Sequence, residues 1–157
     1  MNAKDTAKLA NYLKSKKKVL ILAGALCDDI NFDGKKLLDY AAEIATRINS
    51  PIAATGNTIV GLKARNVKAA KKMWVAEVLD YMRHPWKDPV IDQKPELLVF
   101  IGYDPATARA LVGGVNNAET LVLGNVHIKE ATHSLPDASL EGWQQSLEQL
   151  AQALSKA

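Results

Sequence analysis

Apolar residues along this chain follow two alternating patterns. Short runs are apolar without interruption, and between them lie longer stretches whose apolar positions recur three or four residues apart. Asp5 to Ser15 carries Leu9, Tyr12 and Leu13 on one face and is predicted as a helix. Val19 to Ala23 follows as an unbroken apolar run, too short for a helix and suited to a strand covered on both faces. Leu37, Leu38, Ala41, Ile44, Ala45 and Ile48 form the buried stripe of a second helix, with Asp33 expected as its N-cap before Gly34. Asn49-Ser50-Pro51 ends that helix, and Pro51 to Ala54 is the next strand.

Further along, Val67, Ala70, Trp74, Val78, Leu79 and Met82 predict a helix over Asn66 to Met82. The segment from His84 to Lys94 contains Pro85 and Pro89 and is expected as a loop. Glu96 to Gly102 is the plainest strand. Asp104 then caps a helix with Pro105 at its first position. Glu119 to Asn125 is another strand, and an amphipathic helix capped by Ser139 closes the chain, burying Leu140, Trp143, Leu147, Leu150 and Leu154. Strands alternating with helices, without internal repeat or low-complexity linker, predict one α/β domain over residues 1–157: a Rossmann-like parallel sheet with helices on both faces.

Composition narrows the function classes. At 157 residues the chain suits a single core, and a net charge of +3 is too small and too evenly spread to argue for nucleic acid. The basic run from Lys14 to Lys18 is read as a solvated helix end. No apolar segment approaches the roughly 20 residues that span a bilayer, and the polar N-terminus lacks the apolar core of a signal peptide, so a cytoplasmic protein is expected. A single cysteine, Cys27, excludes an internal disulfide, a cysteine-based zinc site and an iron–sulfur cluster held by this chain alone. His84, His127 and His133 show no ligand spacing, so no metal site is expected.

Right-handed crossovers bring the C-terminal ends of parallel strands to one edge, where ligands of open α/β sheets bind. Gly24, Thr55-Gly56-Asn57, Gly102-Tyr103-Asp104 and Gly124-Asn125 are therefore expected along one rim. Of these, Gly24, Thr55, Gly56, Asn57, Gly102 and Tyr103 are the candidate residues for a flavin or nucleotide, through close backbone approach and hydrogen bonds to a ring or ribose. The dinucleotide fingerprint is missing. The first strand leads into "AGALCDDINFDG", with one glycine where three are required, and the second ends on Thr55-Gly56-Asn57 instead of an acid. Asp28 and Asp29 would repel phosphates there. A helix terminus contributes about 0.3–1 kcal/mol toward an anion, whereas micromolar binding needs about 8 kcal/mol.

No catalytic residue emerges. There is no G-x-S-x-G, and acids beside Cys27 raise a thiol pKa instead of activating it, so this cysteine is read as structural. Trp74 and Trp143 fit apolar stripes and are expected in the core. Trp86, in "RHPWKDP", either covers the sheet edge or anchors an interface.

"KKVLILAGAL", "LLDYAAEIATRINSPIAATGNTIVGL" and "KPELLVFIGYDPATARALV" together resemble the epsilon subunit of the archaeal acetyl-CoA decarbonylase/synthase (CO dehydrogenase/acetyl-CoA synthase) complex. The likeness runs from about Lys17 to Leu154, and its most specific piece is "PIAATGNTIVGL" followed by "ELLVFIG". More distantly the chain is similar to the central domain of thiamine-diphosphate enzymes and to the sirtuin nucleotide-binding fold, a fold-level likeness. The closer resemblance implies a non-catalytic subunit that joins a large alpha subunit in an α₂ε₂ CO-oxidising component. The nickel–iron–sulfur and iron–sulfur clusters would sit on alpha, and this chain would stabilise alpha and assist electron transfer to FAD. Self-association is left open. The alternative from another class is an independent nucleotide- or flavin-binding protein of the same fold.

Overall fold

The computed structural model describes residues 2–67, 70–86 and 94–155. The chain order is α1 (Ala3–Ser15), β1 (Val19–Ala23), α2 (Leu26–Asp29), β2 (Asn31–Phe32), β3 (Lys35–Lys36), α3 (Leu37–Ile48), β4 (Ile52–Ala54), α4 (Gly56–Ala64), β5 (Ala70–Lys72), α5 (Val75–Met82), β6 (Leu97–Ile101), α6 (Pro105–Gly113), β7 (Glu119–Val122), β8 (His133–Ser134) and α7 (Leu140–Ser155).

Six strands form one sheet in the order β5-β4-β1-β6-β7-β8, with every pairing parallel. Counted among these strands alone, that is the 3-2-1-4-5-6 order of doubly wound dinucleotide-binding folds, with its switch point between the first and fourth strands. Here those are β1 and β6, paired over their full lengths from Val19↔Leu97 to Ala23↔Ile101. The α/β Rossmann-like architecture expected from the sequence is the one found.

Both central strands are buried throughout, because each is covered twice. Val19, Ile21, Ala23, Leu97, Val99 and Ile101 face one layer, shared with α1, α3, α4 and α7. Leu20, Leu22, Leu98 and Phe100 face the other, against α5 and α6. Asp104 caps α6 through its carboxylate, which accepts the Thr107 N–H at 3.0 Å, and Ser139 Oγ accepts the Gly142 N–H at the start of α7.

Four expectations are corrected. Asp33 caps no helix. It and Gly34, at φ +53° and +101°, make the two-residue turn of a hairpin between β2 and β3. The turn exists to bury Phe32, which packs edge-on against Tyr40 and Trp143. The helix expected over Asn66–Met82 is β5 followed by α5, and a separate helix, α4, precedes them. The apolar positions that suggested one stripe belong to opposite layers: Val67 and Ala70 join the α1/α3/α4/α7 side, whereas Val78, Leu79 and Met82 join the other. Trp74 is not core. It stands at the N-cap of α5, 64% exposed. Leu140 is not buried with the rest of its stripe: it opens α7 and is 50% exposed, and the buried side of that helix begins at Trp143.

Trp86, by contrast, packs beside Tyr81 (ring centroids 6.0 Å apart) and against the α5/α6 layer. Much of the loop expected over His84–Lys94 lies outside the described residues. The short strand β8 was not anticipated. Thr120 and Thr132, near the starts of β7 and β8, exchange backbone N–H to side-chain hydroxyl bonds, each 3.0 Å.

Candidate functional site

The rim at the C-terminal ends of the strands holds a cavity of about 240 Å³ next to the switch point. Gly24 and Ala25 contribute from the end of β1, Thr55 and Thr58 from the start of α4, and Tyr103 from the loop after β6. The segment joining β5 to α5 supplies Met73, Trp74, Val75 and Ala76. Three sequence-predicted residues, Gly24, Thr55 and Tyr103, thus meet in one place. Gly56 and Asn57 open α4 beside the cavity without lining it, and Gly102 lies behind it.

The two rim glycines bracketing the switch point have a physical reason that is visible in the backbone. The Gly24 N–H donates to Ile101 O at 2.8 Å, and the Leu26 N–H donates to Gly102 O at 3.0 Å. A Cβ on Gly102 would lie 2.5 Å from Cys27 Sγ, and its φ of +89° already disfavours a side chain. A Cβ on Gly24 would lie 2.8 Å from the Tyr103 ring and closer still to the Gly102 carbonyl oxygen. The close approach expected between these glycines and a ligand is here an approach between the two loops themselves. Gly56 differs. Its φ is +57° and nothing lies within 4 Å of a Cβ placed there, so its glycine serves the turn from β4 into α4. Gly124 and Asn125 are also away from the cavity; Asn125 O accepts the Ala138 N–H and ties the approach to α7.

Hydroxyls, an indole, a thioether and small apolar groups line the cavity. Among the described residues, no carboxylate, imidazole or amine lines it. Thr58 is buried and donates its hydroxyl to Asp28 Oδ2 at 2.6 Å, so one carboxylate stands a single hydrogen bond behind the wall. The hydroxyls of Thr55 and Tyr103 have no hydrogen-bond partner among the described residues, and no side chain caps the first turn of α4. Burial raises the Tyr103 pKa, with a smaller contribution from Cys27, so its phenol stays protonated. Cys27 is fully buried and its thiol faces Ile101 O at 3.5 Å; burial, then Asp28, pushes its pKa up to about 12. A thiol so placed is a packing group. Among the described residues, no group of three His, Cys, Asp or Glu side chains is gathered as a metal site would require, and no helix is long and apolar enough to cross a membrane.

Met73, Trp74, Val75 and Ala76 were missed from the sequence because their segment carries helical spacing. The strand that ends that pattern, β5, is only three residues long, and its existence depends on β4 alongside it. Met73 N–H donating to Ala54 O at 3.0 Å is the bond that carries this segment to the rim.

No family model matches the chain, and no curated protein matches it either.

Proposed function

We propose that this chain is a non-catalytic accessory subunit, the epsilon subunit of the CO dehydrogenase component of an acetyl-CoA decarbonylase/synthase complex. In that role it binds and stabilises a large alpha subunit in an α₂ε₂ assembly and assists electron transfer from alpha to FAD during CO oxidation. The nickel–iron–sulfur and iron–sulfur clusters belong to alpha, and the assembly works in the cytoplasm. The reading rests on the sequence resemblance, and the observation that supports it best is Trp74. Its indole is 64% exposed on the rim of a domain whose other tryptophans are packed. Exposed tryptophans are enriched at the energetic centres of protein interfaces. Val60 on α4, 65% exposed, is a second large apolar side chain at the surface.

The test is affinity capture of the tagged protein from its own cells under anaerobic conditions, with nickel and CO oxidation assayed in the bound fraction. Recovery of a large nickel-containing partner that oxidises CO, weakened by Trp74→Ala, is the expected result. Recovery of the folded chain alone at normal abundance overturns it.

A second reading, an independent nucleotide- or flavin-binding protein, is favoured by one observation: the rim cavity lies at the switch point where such ligands bind in this fold class. It predicts binding by the isolated chain.

A further inference from the structure

We infer that the rim cavity is a site for one neutral, planar heteroaromatic ring of nucleobase size, with any phosphates excluded. This deepens the second reading, since it says which part of a nucleotide enters.

Size sets the first limit. At about 240 Å³ the cavity is smaller than the roughly 300–1,000 Å³ of sites for drug-sized ligands. It holds the volume of roughly eight waters, and so a fused ring system of about ten heavy atoms, not a dinucleotide.

The walls select the chemistry. Met73, Val75 and Ala76 offer an apolar side, and the exposed Trp74 indole at the mouth gives a face on which a flat ring stacks. The Tyr103 and Thr55 hydroxyls can each donate or accept, and neither is used within the described structure. A heteroaromatic edge presenting both a donor and an acceptor satisfies them; a hydrocarbon ring leaves them unpaired.

Charge excludes the rest of a nucleotide. Among the described residues, no lysine, arginine or histidine lines the cavity, and the Asp28 carboxylate stands behind Thr58. The uncapped first turn of α4 carries only partial positive charge, which suits a ring carbonyl or ring nitrogen. A phosphate would find only backbone N–H groups and that partial charge, with no full cation among the described lining residues, and would face that carboxylate.

The test is calorimetric titration of the full chain with adenosine and guanosine, against AMP and GMP as the phosphate-bearing counterparts. At least one neutral compound is expected to bind with a Kd below about 1 mM, and its phosphorylated counterpart at least about fivefold more weakly. Ala76→Phe, which fills the cavity from an exposed helical position, should abolish that binding with the melting temperature unchanged. Ala25→Phe gives an independent block from the β1 side should Ala76→Phe fail to fold. Tyr103→Phe should weaken binding by roughly five- to tenfold, the usual effect of losing one hydrogen bond. Tighter binding of AMP or GMP than of adenosine or guanosine would overturn the inference and leave the second reading standing. Absence of binding by both neutral nucleosides up to about 5 mM, or unchanged binding by a folded cavity-filling variant, would overturn it as well.

Discussion

Single atoms decide much at the rim. Gly24 and Gly102 sit where the loops after β1 and β6 cross, and neither tolerates a methyl group. Gly102→Ala must accept both a φ of +89° and a Cβ 2.5 Å from Cys27 Sγ, and is expected to lose roughly 2–4 kcal/mol of stability. The denaturant midpoint measures this. Gly113→Ala, in α6 with nothing within 4 Å of the added Cβ, is the matched control and should be neutral or slightly stabilising. Cys27 makes a separate prediction. Its folded pKa lies above the ordinary thiol value of 9.0, so the folded state holds that proton more tightly than the unfolded chain. Its contribution to stability is therefore complete below pH 9 and is lost as the pH rises from 9 toward 12. Iodoacetamide at pH 8.5 should leave the native thiol unmodified and label it only once the chain is unfolded; rapid labelling of the native protein would contradict this burial. The inertness of Cys27 was legible from its acidic neighbours. The purpose of the two glycines was not, because a glycine that admits a ligand and a glycine that admits a second loop look alike in sequence.

At the level of elements, α3 shows how an end is held. The Lys36 N–H donates to Asp39 Oδ2 at 2.8 Å, and the Arg65 Nε donates to Asp39 Oδ1 at 2.7 Å from the end of α4. Burial alone pushes the Asp39 carboxyl up, but the bonds from Arg65 and the Lys36 backbone outweigh it and leave the pKa lowered. A carboxyl with a lowered folded pKa stabilises the fold above its ordinary pKa near 4 and loses that contribution as the pH falls through the folded value. Asp39→Asn should therefore cost about 1 kcal/mol at pH 7 and flatten the acid limb of the stability profile, which urea titrations between pH 2 and pH 7 would reveal. The elements themselves were unequally legible. β1, β6, α6 and α7 announced themselves through unbroken apolar runs, a proline at a first helical position and an amphipathic stripe, though Leu140 at the head of that stripe is exposed. The region from α4 through α5 did not, since Val67, Ala70, Val78 and Met82 have helical spacing yet pack on opposite faces of the sheet. The Asp33-Gly34 pair is a strong hairpin signal, and it competed with its equally good appearance as a helix start.

For the molecule as a whole, the prediction concerns surface use. Trp74→Ala removes an exposed side chain and should change stability by less than about 0.5 kcal/mol. A large loss of partner capture with an unchanged melting temperature would mark Trp74 as an interface anchor; unchanged capture would move the interface elsewhere. By itself, the sequence determined the α/β class, the central buried strands, the edge on which a site would form and the absence of the dinucleotide fingerprint. Each of these depends on local periodicity or on residue types at a strand's end, which are written along the chain. Only the tertiary structure decided that Trp74 faces outward, that Trp86 packs inward against Tyr81, and that β5 brings Met73 to Ala76 beside Gly24, Thr55 and Tyr103. Those outcomes depend on which layer each residue enters and on a three-residue strand that is stable only when β4 lies beside it. The pairing is non-local, so no window of sequence contains it.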